Sequence, residues 1–305
     1  MTKSAIIAGT LGLLLLFVVS LAFPAGDLLA VTRADRALGL SILFELRLPR
    51  TLLALIYGAV LGFSGAAIQA LFGNPLASPD ITGTSGGAAL GAVVAAYLLG
   101  AETPFGFALG GVAGAGAALA LLLLLAGRRP EGATLLLAGI AISALTGAAT
   151  ALALALAPSP YAFYDAFDWL MGSLVDRSLP QAGFAAAGAV VALAMLAWQA
   201  PALDRLALGE EVAQSLGGDL ARTRLIVVTA SAIGVGACVS VCGAIGFIGL
   251  VAPVLARTLT GHLPGRAMWP AAAIGAGLLL AADLLVRLAP LGRALPVGVI
   301  TAILG

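Results

Sequence analysis

The sequence predicts an all-α, polytopic membrane protein of about ten transmembrane helices, forming one domain over residues 1–305. Three observations carry this. Of 305 residues, 61% are hydrophobic and 10% charged, against about 45–50% and about 25% in a soluble domain. Uncharged apolar runs recur at close to the 20 residues that cross about 30 Å of hydrocarbon. None of the runs alternates with the period of two that barrel strands show. The same composition excludes a disordered chain, and a net charge of +1 leaves no footprint for nucleic acid.

In order, the apolar runs occupy residues 4–23, 51–72, 81–99, 105–126, 133–157, 182–200, 225–244, 245–259 and 267–286, and a last one begins at Pro296. The first follows Lys3 and reads as a retained helix, its apolar stretch being longer than a signal peptide's; Ser20-Leu21-Ala22 keeps cleavage open as an alternative. With the N-terminus inside, Lys3, Arg128, Arg129, Arg205, Arg222, Arg224, Arg257 and Arg266 fall in inner loops. The outer loops hold Arg33, Arg36, Arg47, Arg50, Arg177, Arg287 and Arg293. The positive-inside rule barely decides between the two orientations, and an exterior so rich in arginine wants another explanation.

Glycines recur at four-residue spacing, as in Gly58-x-x-x-Gly62, Gly83-x-x-x-Gly87-x-x-x-Gly91 and Gly106-x-x-x-Gly110-x-x-x-Gly114. In lipid, such small faces let helices pack closely. Much chemistry is missing. With Lys3 the one lysine, no phosphate loop of the Gly-Lys-Ser/Thr type can form. His262 is the one histidine, so no histidine-pair metal site exists. Cys238 and Cys242 read as small buried hydrophobes rather than a soft-metal pair. No charge sits clearly at mid-membrane, which argues against a proton relay.

Three polar islands interrupt the pattern. In Pro201–Arg224, residues 210–216 can form a two-turn helix with Val212, Ala213 and Leu216 on one face. Gly217-Gly218 would end it and Asp219 would cap a second short helix. This cytosolic segment, about residues 202–224, reads as a docking surface for a soluble partner. The second island, residues 72–87, starts with turn chemistry at Asn74-Pro75 and Ser78-Pro79-Asp80. Thr82, Thr84 and Ser85 then lead into the next run among glycines, which suggests a broken helix lining a cavity. The third, Arg47-Leu48-Pro49-Arg50, opens the second helix. Pro49 suits a first turn, but the arginines oppose the helix dipole there. They are either snorkelling anchors or contacts for a partner's carboxylates. Arg287 joins them, with an i,i+4 ion pair to Asp283 as its local alternative.

At this point the residues resemble the FecCD family, the permease subunits of ABC importers for iron chelates and cobalamin. The matching stretches are Arg47-Leu-Pro-Arg50, Gly65-Ala-Ala-Ile-Gln-Ala-Leu-Phe-Gly-Asn-Pro-Leu-Ala77 and Pro79-Asp-Ile-Thr-Gly-Thr-Ser-Gly-Gly87. Further on come Trp169-Leu-Met-Gly-Ser-Leu174, Leu208-Gly-Glu-Glu-Val-Ala-Gln-Ser-Leu-Gly217, Gly246-Phe-Ile-Gly-Leu-Val-Ala-Pro253 and Leu295-Pro-Val-Gly-Val-Ile-Thr-Ala302. They run in family order from about residue 40 onward.

The resemblance implies a ten-helix subunit in a bacterial cytoplasmic (inner) membrane, paired with a second copy or a paralogue around a central pathway. Two cytosolic ATP-binding subunits would drive it, with ATP and Mg bound there; this chain would bind no cofactor and catalyse nothing. A periplasmic or lipoprotein substrate-binding protein would dock outside, on Arg47, Arg50 and Arg287. The coupling segment falls on Leu208, Gly209, Glu210, Glu211, Ala213 and Gly217. Residues 165–174 would form a short outer helix. The chain departs from the family pattern at Ala244 and Val254. Relatives usually continue past Gly305, so the last helix is either cut short there or unusually short.

Pathway residues would be small and polar: Ser64, Gln69, Thr82, Thr84, Ser85, Ser143, Thr146 and Thr150, each equally readable as a helix–helix hydrogen bond. The family's commonest cargo puts ferric siderophore first, haem second and cobalamin third. The lack of charged ligands suits a bulky chelate passed along by shape rather than a bare metal ion. A secondary transporter is the rival outside the family.

Overall fold

The computed structural model describes residues 3–98, 100, 103–127, 131–261, 263–288 and 295–304. Arg128, Arg129, His262, Arg293 and Gly305 lie outside them. Every regular element among the described residues is helical: α1 (Lys3–Ala22), α2 (Ala25–Ala34), α3 (Arg36–Ser41), α4 (Leu48–Phe72), α5 (Thr84–Leu98), α6 (Pro104–Ala126), α7 (Gly132–Ala155) and α8 (Pro160–Leu170), then α9 (Leu179–Leu206), α10 (Glu210–Ser215), α11 (Leu220–Cys242), α12 (Ile248–Thr260), α13 (Pro264–Leu288) and α14 (Val297–Leu304).

α4 is the axis. Its N-terminal half carries Leu53, Tyr57 and Leu61 into one apolar cluster with Val239, Ile245 and Leu279. Its C-terminal half carries Phe63, Ile68 and Leu71 into a second with Leu196, Leu203 and Met268. The glycine spacing does what the sequence predicts. A Cβ on Gly58 would collide with the Gly275 carbonyl of α13, and one on Gly91 with the Gly110 carbonyl of α6. Backbone therefore touches backbone, the contact that supplies packing energy where lipid offers no hydrophobic drive.

Six helices among the described residues are long and apolar enough to cross a membrane. Runs read as full crossings at residues 81–99 and 245–259 are instead the shorter helices α5 (15 residues) and α12 (13 residues), and α14 has 8. The chain breaks before each of the first two. A 3₁₀ turn at Pro79–Thr82 precedes α5, and residues 243–247 precede α12, with positive φ at Gly243 (74°) and Phe247 (67°). The breaks meet: a Cβ on Gly249 would touch Pro79, close to the Leu61 carbonyl halfway along α4. Irregular backbone at this depth is tolerated because protein surrounds it.

Three local expectations change. A π turn, Ile42–Arg47, joins α3 to α4 into one helix from Arg36 to Phe72. Its Leu48 N–H bonds back to Leu43 just ahead of Pro49, which has no N–H to offer. Arg47 and Arg50 therefore lie inside a helix, and the dipole no longer opposes them. α9 does not stop before Pro201 but runs on to Leu206, where Arg205 Nε donates to the Pro201 carbonyl at 3.2 Å. The outer helix α8 starts at Pro160, earlier than 165, because the Ser159 side chain caps it by accepting the Ala162 N–H at 3.1 Å; it ends at Leu170.

Candidate functional site

At one end of the bundle, α10 hangs between two glycine joints, Gly209 (φ 104°) and Gly217 (φ 80°), conformations that suit only glycine well. Asp219 is an N-cap, accepting the Arg222 N–H at 3.0 Å. The helix it caps is the 23-residue α11 and not a second short one. Val212, Ala213 and Leu216 do not share a face. Ala213 is 1% exposed and packs inward, whereas Leu208, Val212 and Leu216 are 64%, 45% and 54% exposed. Val212 in α10, Leu208 just before it and Leu216 at its C-cap make a stripe of exposed apolar side chains along this segment. Glu211 is exposed beside it, and Glu210 is paired with Arg224 in the second turn of α11. Behind α10 lies a cleft of about 750 Å³, lined by Asn74, Leu76, Glu131, Gln214 and Arg224 among others.

The opposite end gathers the three outer arginines. Arg50 Nε donates to Asp283 Oδ1 at 2.8 Å and Arg287 Nη2 to Asp283 Oδ2 at 2.5 Å; the carboxylate between them is fully buried. Arg287 also donates to the Ser20 carbonyl at 2.6 Å, and Arg47 to the Leu21 and Ala22 carbonyls at 3.1 and 2.8 Å. The cluster thus closes the C-terminal end of α1, whose last carbonyls have no partner within the helix. Ser20 and Thr51 add a hydroxyl pair at 2.9 Å. The i,i+4 pairing of Asp283 with Arg287 is present as the spacing suggests. Its second partner, Arg50, is 233 residues away and left no local signal.

Most of the expected pathway hydroxyls are occupied in holding backbone. Gln69 donates to the Leu250 carbonyl at 3.1 Å and accepts from Arg257, so it ties α4 to α12. Thr82 bonds the Pro79 carbonyl and Thr84, both at 2.8 Å, and Ser85 bonds Asp80 at 2.7 Å, which knits the break before α5. On α7, Thr146 and Thr150 donate to carbonyls of their own helix at 2.8 Å, and Ser143 reaches the Asp80 carbonyl at 3.4 Å. Ser64 is fully buried and its hydroxyl has no partner. Ser143 and Thr150 alone in this set lie on α7 with part of their surface open.

Near the arginine end, three of the motif segments converge on the break before α12. Tyr57 donates its hydroxyl to the Gly243 carbonyl and accepts the Ile245 N–H, both at 3.2 Å. Ser173 N–H donates to the Cys242 carbonyl at 2.8 Å, and Gly298 N–H to the Gly172 carbonyl at 3.3 Å. Sequence reasoning missed Tyr57, an aromatic residue that looks like ordinary core until its hydroxyl is traced.

A family model described as the FecCD transport family matches residues 6–305. The chain belongs to the FecCD transport family. It is 40% identical over 300 residues to the vitamin B12 import system permease protein BtuC of Citrobacter koseri, covering 97% of this chain and 90% of that protein. The BtuC of Salmonella typhimurium is likewise 40% identical, with 97% and 91% covered. Among solved structures, an inward-facing ABC transporter assigned to the metal-chelate type superposes with a TM-score of 0.89 at 28% identity, over 100% of this chain and 96% of that one. PsaBC from Streptococcus pneumoniae in complex with Fab shares the fold, with a TM-score of 0.52 at 17% identity over 84% and 86%. As a FecCD member this chain is a multi-pass membrane permease subunit of an ABC importer, a transport component whose ATP hydrolysis falls to partner subunits.

Proposed function

We propose that this chain is one of two permease copies that import a bulky metal chelate across a bacterial cytoplasmic membrane. In this reading α10 docks on a cytosolic ATP-binding subunit, which holds the ATP and Mg, and the arginine end receives a substrate-binding protein. The stripe of Leu208, Val212 and Leu216 carries the reading. Three large exposed apolar side chains on a six-residue helix and its two flanks are costly in water and useful only when covered. Glu211 borders the stripe with negative charge, Glu210 being paired with Arg224, and Gly209 and Gly217 let the helix tilt.

At the other end, Arg50 and Arg287 share the Asp283 carboxylate while Arg47 holds the Leu21 and Ala22 carbonyls, and three guanidinium groups gathered there suit carboxylates on a binding protein. Ser143 and Thr150, the half-open hydroxyls of α7, are the members of the expected pathway set best placed to meet cargo.

For the cargo, cobalamin is the first reading, since 40%-identical relatives are named as vitamin B12 permeases. An iron chelate, with ferric siderophore ahead of haem, is the second, favoured by the similarity to a metal-chelate type transporter. The deciding experiment is co-purification from the native membrane, with the partners identified by mass spectrometry. The recovered binding protein is then titrated with cyanocobalamin, a ferric hydroxamate and haem. Recovery of an ATPase and a binding protein supports the importer. Transport by the chain alone, without ATP, would replace it with a secondary transporter.

A further inference from the structure

α10 is joined softly to the chain on both sides. Gly209 and Gly217 take backbone conformations with φ of 104° and 80°, and Gly217 is followed by Gly218. A displacement of α10 would dissipate in these joints unless something else tied the helix to the bundle. Two features do. Ala213 packs inward, and the Glu210 carboxylate is held by the Arg224 guanidinium. The Arg224 side chain is 9% exposed and Glu210's is 56%. One partner is thus anchored within the bundle while the other rides on the movable helix.

Arg224 belongs to α11, and α11 is built as a rod. Its 23 residues reach about 35 Å at 1.5 Å each. From Val227 to Cys242 almost every residue is buried, and the helix holds no proline. Its far end abuts the segment leaving α8. The Cys242 carbonyl accepts the Ser173 N–H at 2.8 Å, and Gly243 lies so close to the Trp169 carbonyl that a Cβ could not be added. Gly172 in turn holds Gly298 at the start of α14. A push on α11 along its axis therefore bears directly on the end of α8, through the Trp169 carbonyl and Ser173, and by way of Gly172 on α14.

We propose that Arg224 is the positioning residue that clasps α10 to α11 through Glu210, and that α11 then carries the motion of α10 to α8 at the opposite end. The proposal rests on α10 being the ATPase-facing helix, and adds how its motion crosses the membrane. Arg224 lies behind α10, so removing its charge leaves the docking stripe intact.

The test uses the complete permease–ATPase complex in liposomes, with Tyr161→Cys spin-labelled in both copies. Tyr161 is 82% exposed on α8, and the native Cys238 and Cys242 are fully buried. The distance between labels is read at rest and after trapping with ATP and vanadate. The parent shows a shift on trapping. Arg224→Gln keeps ATPase assembly and hydrolysis within about twofold but loses most of the shift, because the surviving carboxylate has no cation to pull on. The charge swap Glu210→Arg with Arg224→Glu restores it, which a merely structural role for Arg224 would not allow. An unchanged shift in Arg224→Gln, a swap that fails to restore, lost assembly in Arg224→Gln, or no shift in the parent would each overturn the proposal. A parent chain that binds no ATPase would overturn the proposed function beneath it.

Discussion

Arg50 and Asp283 form an ion pair at 2.7 Å across 233 residues of sequence, and the carboxylate is wholly out of contact with solvent. Arg287 holds the other carboxylate oxygen at 2.5 Å. One buried anion thus fastens α4, α13 and, through Arg287 and Ser20, the end of α1. Removing one member of such a buried set leaves charge without compensation, which costs far more than the set is worth as a whole.

Asp283→Ala leaves two guanidinium groups facing each other. The expected loss is about 3–5 kcal/mol, read as a lower unfolding temperature in detergent. Arg50→Gln, whose side chain is 19% exposed, loses less. Equal stability of Asp283→Ala and the parent would show that water already neutralises the cluster.

Charge reversal at Arg47 addresses the proposed docking surface. Arg47→Glu weakens association with the binding protein by about tenfold at low salt, and the difference shrinks as salt rises. Surface plasmon resonance on nanodisc-embedded complex gives both numbers. An affinity that does not move removes Arg47 from the docking surface and leaves it as a cap on α1.

Val212→Asp should leave the bundle folded, since the side chain is 45% exposed. It places a charge in the stripe that meets the ATPase, where a central apolar anchor is worth about 1–3 kcal/mol. Loss of ATPase from the purified complex, with unchanged thermal unfolding of the permease, is the expected result. Retained ATPase would move the docking surface elsewhere.

Tyr57→Phe removes a hydroxyl that serves both the Gly243 carbonyl and the Ile245 N–H. Two buried backbone groups lose their partner, at a cost of about 1–3 kcal/mol each. Faster hydrogen exchange confined to residues 243–247 and their neighbours is the signature. A uniform change over the whole chain would mean that the break owes its shape to packing instead.

Gly58→Val drives a branched side chain into the Gly275 carbonyl. Backbone cannot step aside cheaply, so α4 and α13 must separate and the protein should fail to accumulate as a monodisperse species on size exclusion. Gly116→Val, at a position with nothing within 4 Å, is the matched control and should behave as the parent.

The long helices were legible because apolar runs of crossing length leave few alternatives. α10 was legible from Gly217-Gly218 and the acidic pair before it. Its outward face was not, because three apolar residues on and beside a short helix look the same whether they seek their own bundle or another protein. The half-length α5 and α12 were partly legible: Asn74-Pro75 and Ser78-Pro79 mark the first break, and the division between the runs 225–244 and 245–259 falls inside the second, though its apolar residues hide how the backbone turns there. Hydropathy measures composition and says nothing of a backbone that turns at Phe247 with φ 67°. The Arg50–Asp283 pair was illegible for a different reason. Sequence spacing reports neighbours on one helix, and this contact joins helices that chain order keeps apart.

The clamp also sets an order of events during synthesis. α4 enters the bilayer with Arg50 long before Asp283 has been made, and at about 5–20 residues per second the interval is roughly 10–50 s. Asp283 and Arg287 emerge together and neutralise one another on one turn of α13, whereas Arg50 must wait with its charge turned toward the lipid headgroups. The nascent bundle is therefore open until nearly its last helix. A chain arrested before α13 carries an arginine in its central helix whose carboxylate partner has not yet been made.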